Sequence, residues 1–257
     1  MLSERRFEAA MALVITFAAA GCQAPKTAAP AAAAPDAYQC HFAAGPITLD
    51  GKLDEPAWQK AQKITLFYLH NSDKEAPRTT EAMMLWDDKN IYIAARLKDD
   101  DIYTRFTKND QSLWEDDVFE VFFAPVPDSP VQYEFEFAPS GAMLDSLIRS
   151  LEGSGIADGM KWTSHAKFAV AIDGTLNNRS DVDKEWTIEA AIPWSDFSDY
   201  APMPDGPGKS AGELKWQFLI GRRDVSKSFK TDLVVVTSPN VGSFHEYKRY
   251  KAMRFVK

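Results

Sequence analysis

The chain has 257 residues and a formal charge of −8, with 45% hydrophobic residues and only two cysteines, Cys22 and Cys40. An acidic domain repels phosphate backbones, and no Lys/Arg cluster is interleaved with aromatics, which excludes nucleic acid as a partner. Two cysteines make no disulfide framework, and neither belongs to a metal or redox motif.

The N-terminus reads as a targeting segment. Arg5 and Arg6 precede an apolar run from Ala9 to Ala20, the length of a signal-peptide core and too short to span a bilayer. The run ends Ala19-Ala20-Gly21-Cys22, which resembles a bacterial lipobox, although Leu is usual where Ala19 stands. Residues 1–22 are thus expected to be a lipoprotein signal peptide, with lipid on Cys22; secretion with cleavage after an alanine is the alternative. Gln23 after the cysteine resembles outer-membrane sorting in Gram-negative cells, so a lipid-anchored envelope protein is expected. Residues 23–37 are almost all Ala, Pro and Lys, a semi-extended tether with too little apolar surface to fold. With Cys22 lipidated, Cys40 is an odd thiol expected to be buried.

From residue 38 to 257 short strands follow one another. A segment over Glu55–Gln62 predicts about two helical turns, with Asp54 as N-cap and Pro56 in the first turn. Glu81–Trp86 and Asn90–Leu97 flank Asp87-Asp88-Lys89 as a hairpin. Further strands are predicted at Asp117–Phe123, Gln132–Phe137, Met143–Ile148, His165–Ile172, Trp186–Ala191, Trp216–Arg222 and Arg249–Val256. Ala201–Glu213, rich in Pro and Gly, reads as a loop. Many short strands without intervening helices predict an all-β, antiparallel β-sandwich. Trp58, Trp86, Trp186, Trp194 and Trp216 lie in or beside apolar strand patterns and are assigned to its core.

The segment Ser112–Phe123 is the most informative. It passes from Trp114 through four carboxylates into a β-branched and aromatic strand. Alternation places Val118, Glu120 and Phe122 on one face and Phe119, Val121 and Phe123 on the other. A carboxylate between apolar neighbours of a sheet face needs a partner, so the strand reads as the wall of a polar pocket with Trp114 at its rim. Sugars, with apolar faces and hydroxyl edges, suit such a wall. Glu134 and Glu136 share a face opposite Tyr133, Phe135 and Phe137. Either that face is solvated, or it lines a concavity with Glu120 and pairs with Arg222 or Arg223.

Four segments in order resemble family 9 carbohydrate-binding modules: Ile47–Trp58 (ITLDGKLDEPAW), Trp86–Ile93 with Lys98-Asp99, Trp114–Phe122 (WEDDVFEVF) and Trp186–Trp194 (WTIEAAIPW). The resemblance implies a sugar end held between two aromatic rings. Trp114 falls on one clamp position, Phe244 on the other, where better-known members carry Trp, and Glu120 on a polar contact. Two departures stand out: a sugar-contacting arginine of the family aligns with Glu134, and a contacting asparagine with Val241. Arg222 is expected to restore the lost positive charge. Family members carry structural calcium, for which Asp99-Asp100-Asp101 is the candidate run, though such runs also serve as solvated turns.

Two rival readings remain open at this stage. Glu115, Asp117 and Glu120 resemble the E-x-D-x-x-E core of a β-sandwich glucanase family, where a nucleophile and an acid share a strand. Haem-binding subunits of some periplasmic dehydrogenases share the D-G-x-L-D-E-P-A-W opening, and Met83, Met84, Met143, Met160, Met203 and Met253 are the available axial ligands. The four histidines show no paired spacing. Neither the glycan nor a catalytic partner can be named from the residues alone.

Overall fold

A computed structural model describes residues 37–201 and 215–257. Cys22, the signal and tether up to Asp36, Met203, and all of the expected 201–213 loop except Ala201 lie outside the described residues. Among those residues run β1 (Tyr38–Phe42), β2 (Lys63–Ile64), β3 (Tyr68–Leu69), β4 (Thr80–Trp86), β5 (Asn90–Lys98), β6 (Val118–Ala124) and β7 (Gln132–Phe137). β8 (Met143–Ile148), a single turn α1 (Gly155–Gly159), β9 (Lys167–Asp173), β10 (Glu185–Pro193), β11 (Trp216–Asp224), β12 (Leu233–Val236) and β13 (Lys251–Val256) follow.

The strands join in one hydrogen-bonded path, β8-β7-β6-β11-β13-β1-β4-β5-β10-β9, with β12 beside β11. This sheet curls over into a β-sandwich. One core is filled from both ends of the path: Phe119, Val121, Phe123, Tyr133 and Phe135 from one, Met84, Trp86, Ile93, Trp186 and Ile188 from the other. The sheet is mixed rather than wholly antiparallel, because β1 pairs parallel with both β13 and β4. β1 enters from the tether and not from a hairpin, so nothing in the local turn chemistry dictates its direction.

The alternation read from the sequence decides which faces are inward. On β6 the Phe119, Val121 and Phe123 side faces the main core, while Phe122 and Ala124 pack into a separate cluster with Leu219, Val236, Val241 and Tyr250. Burial of each such side chain stabilises the fold by roughly 1.5–3 kcal/mol. All five tryptophans assigned to the core are buried, and so is the free thiol of Cys40, whose pKa burial alone raises well above the usual value.

The short strands β1, β2, β3 and β12 have no counterpart in the sequence-based expectation, and three of the predicted elements depart from it for reasons the contacts give. The two helical turns at Glu55–Gln62 reduce to one 3-10 turn, Trp58–Lys60. The cause is tertiary: Trp58 donates its indole N–H to buried Glu189 at 2.7 Å, and that carboxylate also accepts the backbone N–H groups of Asp50 and Gly51. Gly51 has φ +81°, and a Cβ there would lie 2.7 Å from the Ala171 backbone nitrogen, so only glycine fits. β9 begins at Lys167 rather than His165, because Asp196 captures both the N–H and the ring Nδ1 of His165 at 2.7 Å. The C-terminal strand begins at Lys251, since Tyr247–Arg249 forms another 3-10 turn.

Candidate ligand site

Alternation on β6 and β7 places Glu120, Glu134 and Glu136 on the sheet face away from the main core. Glu120 stands opposite Glu136, Phe122 opposite Glu134, and Ser146 of β8 on the far side of Glu134. All three glutamates are buried, yet each can place a carboxylate oxygen within 4.8 Å of the other two. They form the floor of a cavity of about 440 Å³ that Trp114, Leu144, Ile156, Met160, Arg223, Phe244 and two histidines help to line.

The walls are held by backbone contacts. Trp114 sits on a 3-10 turn, Leu113–Glu115, whose Leu113 is fully buried and acts as the anchor. Arg223 donates to the Trp114 carbonyl at 3.1 Å and to Asp232 at 2.5 Å. Trp114 as a residue stays 39% exposed, which leaves part of its surface open at the mouth of the cavity. Across the cavity, Phe244 packs edge-on to Phe122 and His70, with centroids 5.9 and 5.4 Å away. Its carbonyl accepts a hydrogen bond from Tyr250 at 2.6 Å.

Phe244 can lie so close to the sheet because β11 has glycine there. A Cβ on Gly221 would stand 2.4 Å from the Phe244 ring. Gly221→Ala is therefore expected to displace the ring and widen the cavity, with a stability cost of about 1–3 kcal/mol from overpacking. Near-ultraviolet circular dichroism and a denaturant midpoint check this; an unchanged aromatic spectrum would refute the contact.

Burial dominates the electrostatics. Glu120 and Glu136 are pushed well above the usual carboxylate range, first by desolvation and then by neighbouring glutamates, with Arg223 pulling Glu120 part-way back. Glu134 is pushed up to about 7 by burial, against a hydrogen bond with Glu136. Below pH 4.5 these groups are protonated in both folded and unfolded chains and cost nothing. Between pH 4.5 and about 7 the unfolded chain ionises first, so stability falls as pH rises. For Glu134 alone that loss is on the order of 3 kcal/mol. Glu134→Gln is expected to flatten the fall between pH 4.5 and 7.5, read as urea midpoints; an unchanged slope would refute this assignment.

Residues 49–205 match the family described as carbohydrate family 9 binding domain-like. The chain belongs to that family. The solved structures most like this family 9 domain include a candidate carbohydrate-binding protein from Bacteroides uniformis, at TM-score 0.61 and 15% identity over 85% of this chain and 97% of that one. A family 9 carbohydrate-binding module from Caldicellulosiruptor kristjanssonii, in complex with cellotriose, aligns at TM-score 0.56 and 11% identity over 85% and 93% of the two chains. Endo-1,4-beta-xylanase A of Thermotoga neapolitana is 23% identical over 168 residues, 59% of this chain. The chain spans only 16% of that xylanase.

The family 9 fold brings Trp114, Glu120, Glu134 and Phe244 to one cavity. It does not bring Arg222, whose expected role as the replacement cation is corrected here. Arg222 points to the opposite face of β11, fully buried, and donates to Asp99 at 2.9 Å, Asp224 at 2.8 Å and the Lys98 carbonyl at 2.7 Å. Its neighbour Arg223 takes the place beside Glu120. Sequence reading missed His70, His245, Ile156 and Met160 as lining residues, since loops and α1 deliver them from distant segments.

The Asp99–Asp101 run does not fit the calcium site that the family resemblance suggests. Asp99 engages Arg222 and Arg78, Asp100 engages Arg78, Ser226 and Ser228, and Asp101 engages Arg179 and the Lys227 N–H. Burial acts to raise Asp100, but its hydroxyl and guanidinium donors outweigh it and hold the carboxyl at about 2. Guanidinium groups already supply the positive charge that a cation would bring.

The rival constellations are not assembled either. Glu115 is exposed on Arg105 at 2.6 Å. Asp117 is buried against the N–H groups of Tyr103 and Val225, and Glu120 faces the cavity. Met83, Met84, Met143 and Met253 are buried, and Met160 alone of the described candidates lines the cavity.

Proposed function

We propose that this domain binds an oligo- or polysaccharide without catalysis of its own and supports polysaccharide breakdown from the cell envelope. The observation that carries the reading is the half-exposed indole of Trp114 at the mouth of a cavity floored by clustered carboxyls. A sugar ring presents apolar C–H groups to the indole and to Phe244, and its hydroxyls reach Glu120 and Glu134. The structural relative in complex with cellotriose and the xylanase relative support a plant-type glycan as the first ligand to test. Titration calorimetry of the chain with cello- and xylo-oligosaccharides, alongside a reducing-sugar assay, tests it. Saturable binding without sugar release is expected; sugar release from a β-glucan with no measurable binding would sink it.

The same reading holds the domain at the outer membrane by lipid on Cys22, with the Ala/Pro tether as spacer. The lipobox-like Ala19-Ala20-Gly21-Cys22 supports this. Cys22→Ser is expected to shift the protein from the membrane to the soluble fraction. Unchanged partitioning, with no lipid on the mature N-terminus, would disprove the anchor.

A further inference from the structure

The cavity floor holds more carboxyl groups than a neutral sugar needs. Glu120, Glu134 and Glu136 converge within 4.8 Å of one another, each at least nine-tenths buried. The cation facing them, Arg223, is already committed to Asp232 and to the Trp114 carbonyl. Arg222 on the same strand faces the other way, into Asp99 and Asp224. A buried carboxylate oxygen, Oε2 of Glu136, has no hydrogen-bond partner among the described residues. An acceptor so placed is costly unless a ligand supplies the donor.

A hydroxyl donates one hydrogen and brings no charge. A primary ammonium donates three and brings a positive charge that favours the ionised form of the carboxyls around it. A bare metal ion would fill the triad but would make no use of the aromatic faces at the mouth. A sugar ring bearing an ammonium uses both: the amine satisfies the floor, and the ring face lies on Trp114.

Resting on the carbohydrate-binding reading, we propose that the cavity selects amino sugars with a free amine, the ammonium seated among Glu120, Glu134 and Glu136. The ligand class is a glucosamine-type oligosaccharide rather than a neutral glucan or an N-acetylated one. Acetylation removes the charge and two donors, and sends an amide into a pocket that has acceptors to satisfy.

The test titrates the full chain with three trisaccharides, glucosamine trimer, N-acetylglucosamine trimer and cellotriose, at 0.15 M salt with EDTA present. At least tenfold tighter binding of the glucosamine trimer is expected. Glu136→Gln and Glu120→Gln, each isosteric and checked for folding by circular dichroism, are expected to reduce that preference to threefold or less. Cellotriose binding as tight as the amine would overturn the proposal and leave the carbohydrate reading standing. No binding of any of the three, in EDTA or in calcium, would overturn both. Glucosamine binding that survives both Gln substitutions reports general attraction to an acidic protein and also overturns it. So does binding that appears only when calcium replaces EDTA, since a metal would then occupy the triad.

Discussion

Arg222→Ala is expected to destabilise the domain by about 3–5 kcal/mol, whereas Arg223→Ala one residue away costs less than about 1 kcal/mol. The contrast follows from the two faces of β11. Arg222 is fully buried and tethers Asp99 after β5 to Asp224 at the end of its own strand, with Lys98 O and Thr80 as further acceptors. These strands belong to opposite halves of the sandwich, so the guanidinium closes one edge of the core. Removing it leaves Asp99 and Asp224 facing each other with Arg78 as the cation paired with both, 3.3 and 3.0 Å away. Asp99 already lies at about 6, raised by burial and by Asp224 and lowered by Arg222. Without Arg222 it must take up a proton or repel its neighbour. Arg223 is part-exposed, and its loss exchanges for water one surface ion pair with Asp232 and one exposed bond to the Trp114 carbonyl, while Glu120 beside it is already held toward its neutral form by burial. For a domain of this size the first change amounts to roughly 10 °C in Tm and the second to a few degrees. Equal losses from the two substitutions, by differential scanning calorimetry, would refute the assignment of faces.

That pair of arginines also shows where sequence reading stops. On β6 the parity was legible because only one of the two faces carries a carboxylate, and Glu120 among aromatic residues marks the special side. On β7 the alternation of Glu134 and Glu136 with Tyr133, Phe135 and Phe137 gave the faces but not which was wet. Both proved buried, because Trp114, α1 and the Phe244 loop cover the carboxylate side. On β11 the residues Phe218, Leu219 and Ile220 are apolar in both phases, so nothing local says whether Arg222 or Arg223 meets the carboxylates. Only the register with β6, Gly221 opposite Glu120, decides it.

The four family segments mark residues that build the sandwich more than residues that hold a ligand. Asp50-Gly51 and Trp58 are tied to Glu189, Trp86 and Trp186 fill the core, and Asp99 pairs with Arg222. That is why they were readable: burial and tight turns restrict residue choice at fixed spacings. The lining residues from loops obey no period. His70 reaches Phe244 because the segment after β3 pairs with β12 and with the backbone of Val241, a contact between segments more than 150 positions apart.

Trp114→Ala is expected to weaken glycan binding by at least thirtyfold while leaving the melting temperature within about 2 °C of the parent protein. The exposed part of Trp114, 39% of the residue, corresponds to about 100 Å² for a residue of this size. Covering about four-fifths of that area with a sugar face stabilises the complex by roughly 2 kcal/mol at 25 cal/mol per Å², and the loss converts to about thirtyfold in Kd. The turn should survive, because Leu113 anchors it in a buried cluster and the contact to Arg223 comes from the Trp114 backbone. Phe244→Ala is expected to cost less affinity, since its ring is already half-covered by Phe122 and His70. Glu120→Gln keeps an acceptor in place and should weaken a neutral glycan less than either aromatic change. The decisive comparison is the ratio of the Trp114→Ala and Glu120→Gln effects on one ligand. If Glu120→Gln abolished binding and Trp114→Ala left it unchanged, recognition would be wholly polar, and the platform at the mouth of the cavity would be only a cover for the buried glutamates.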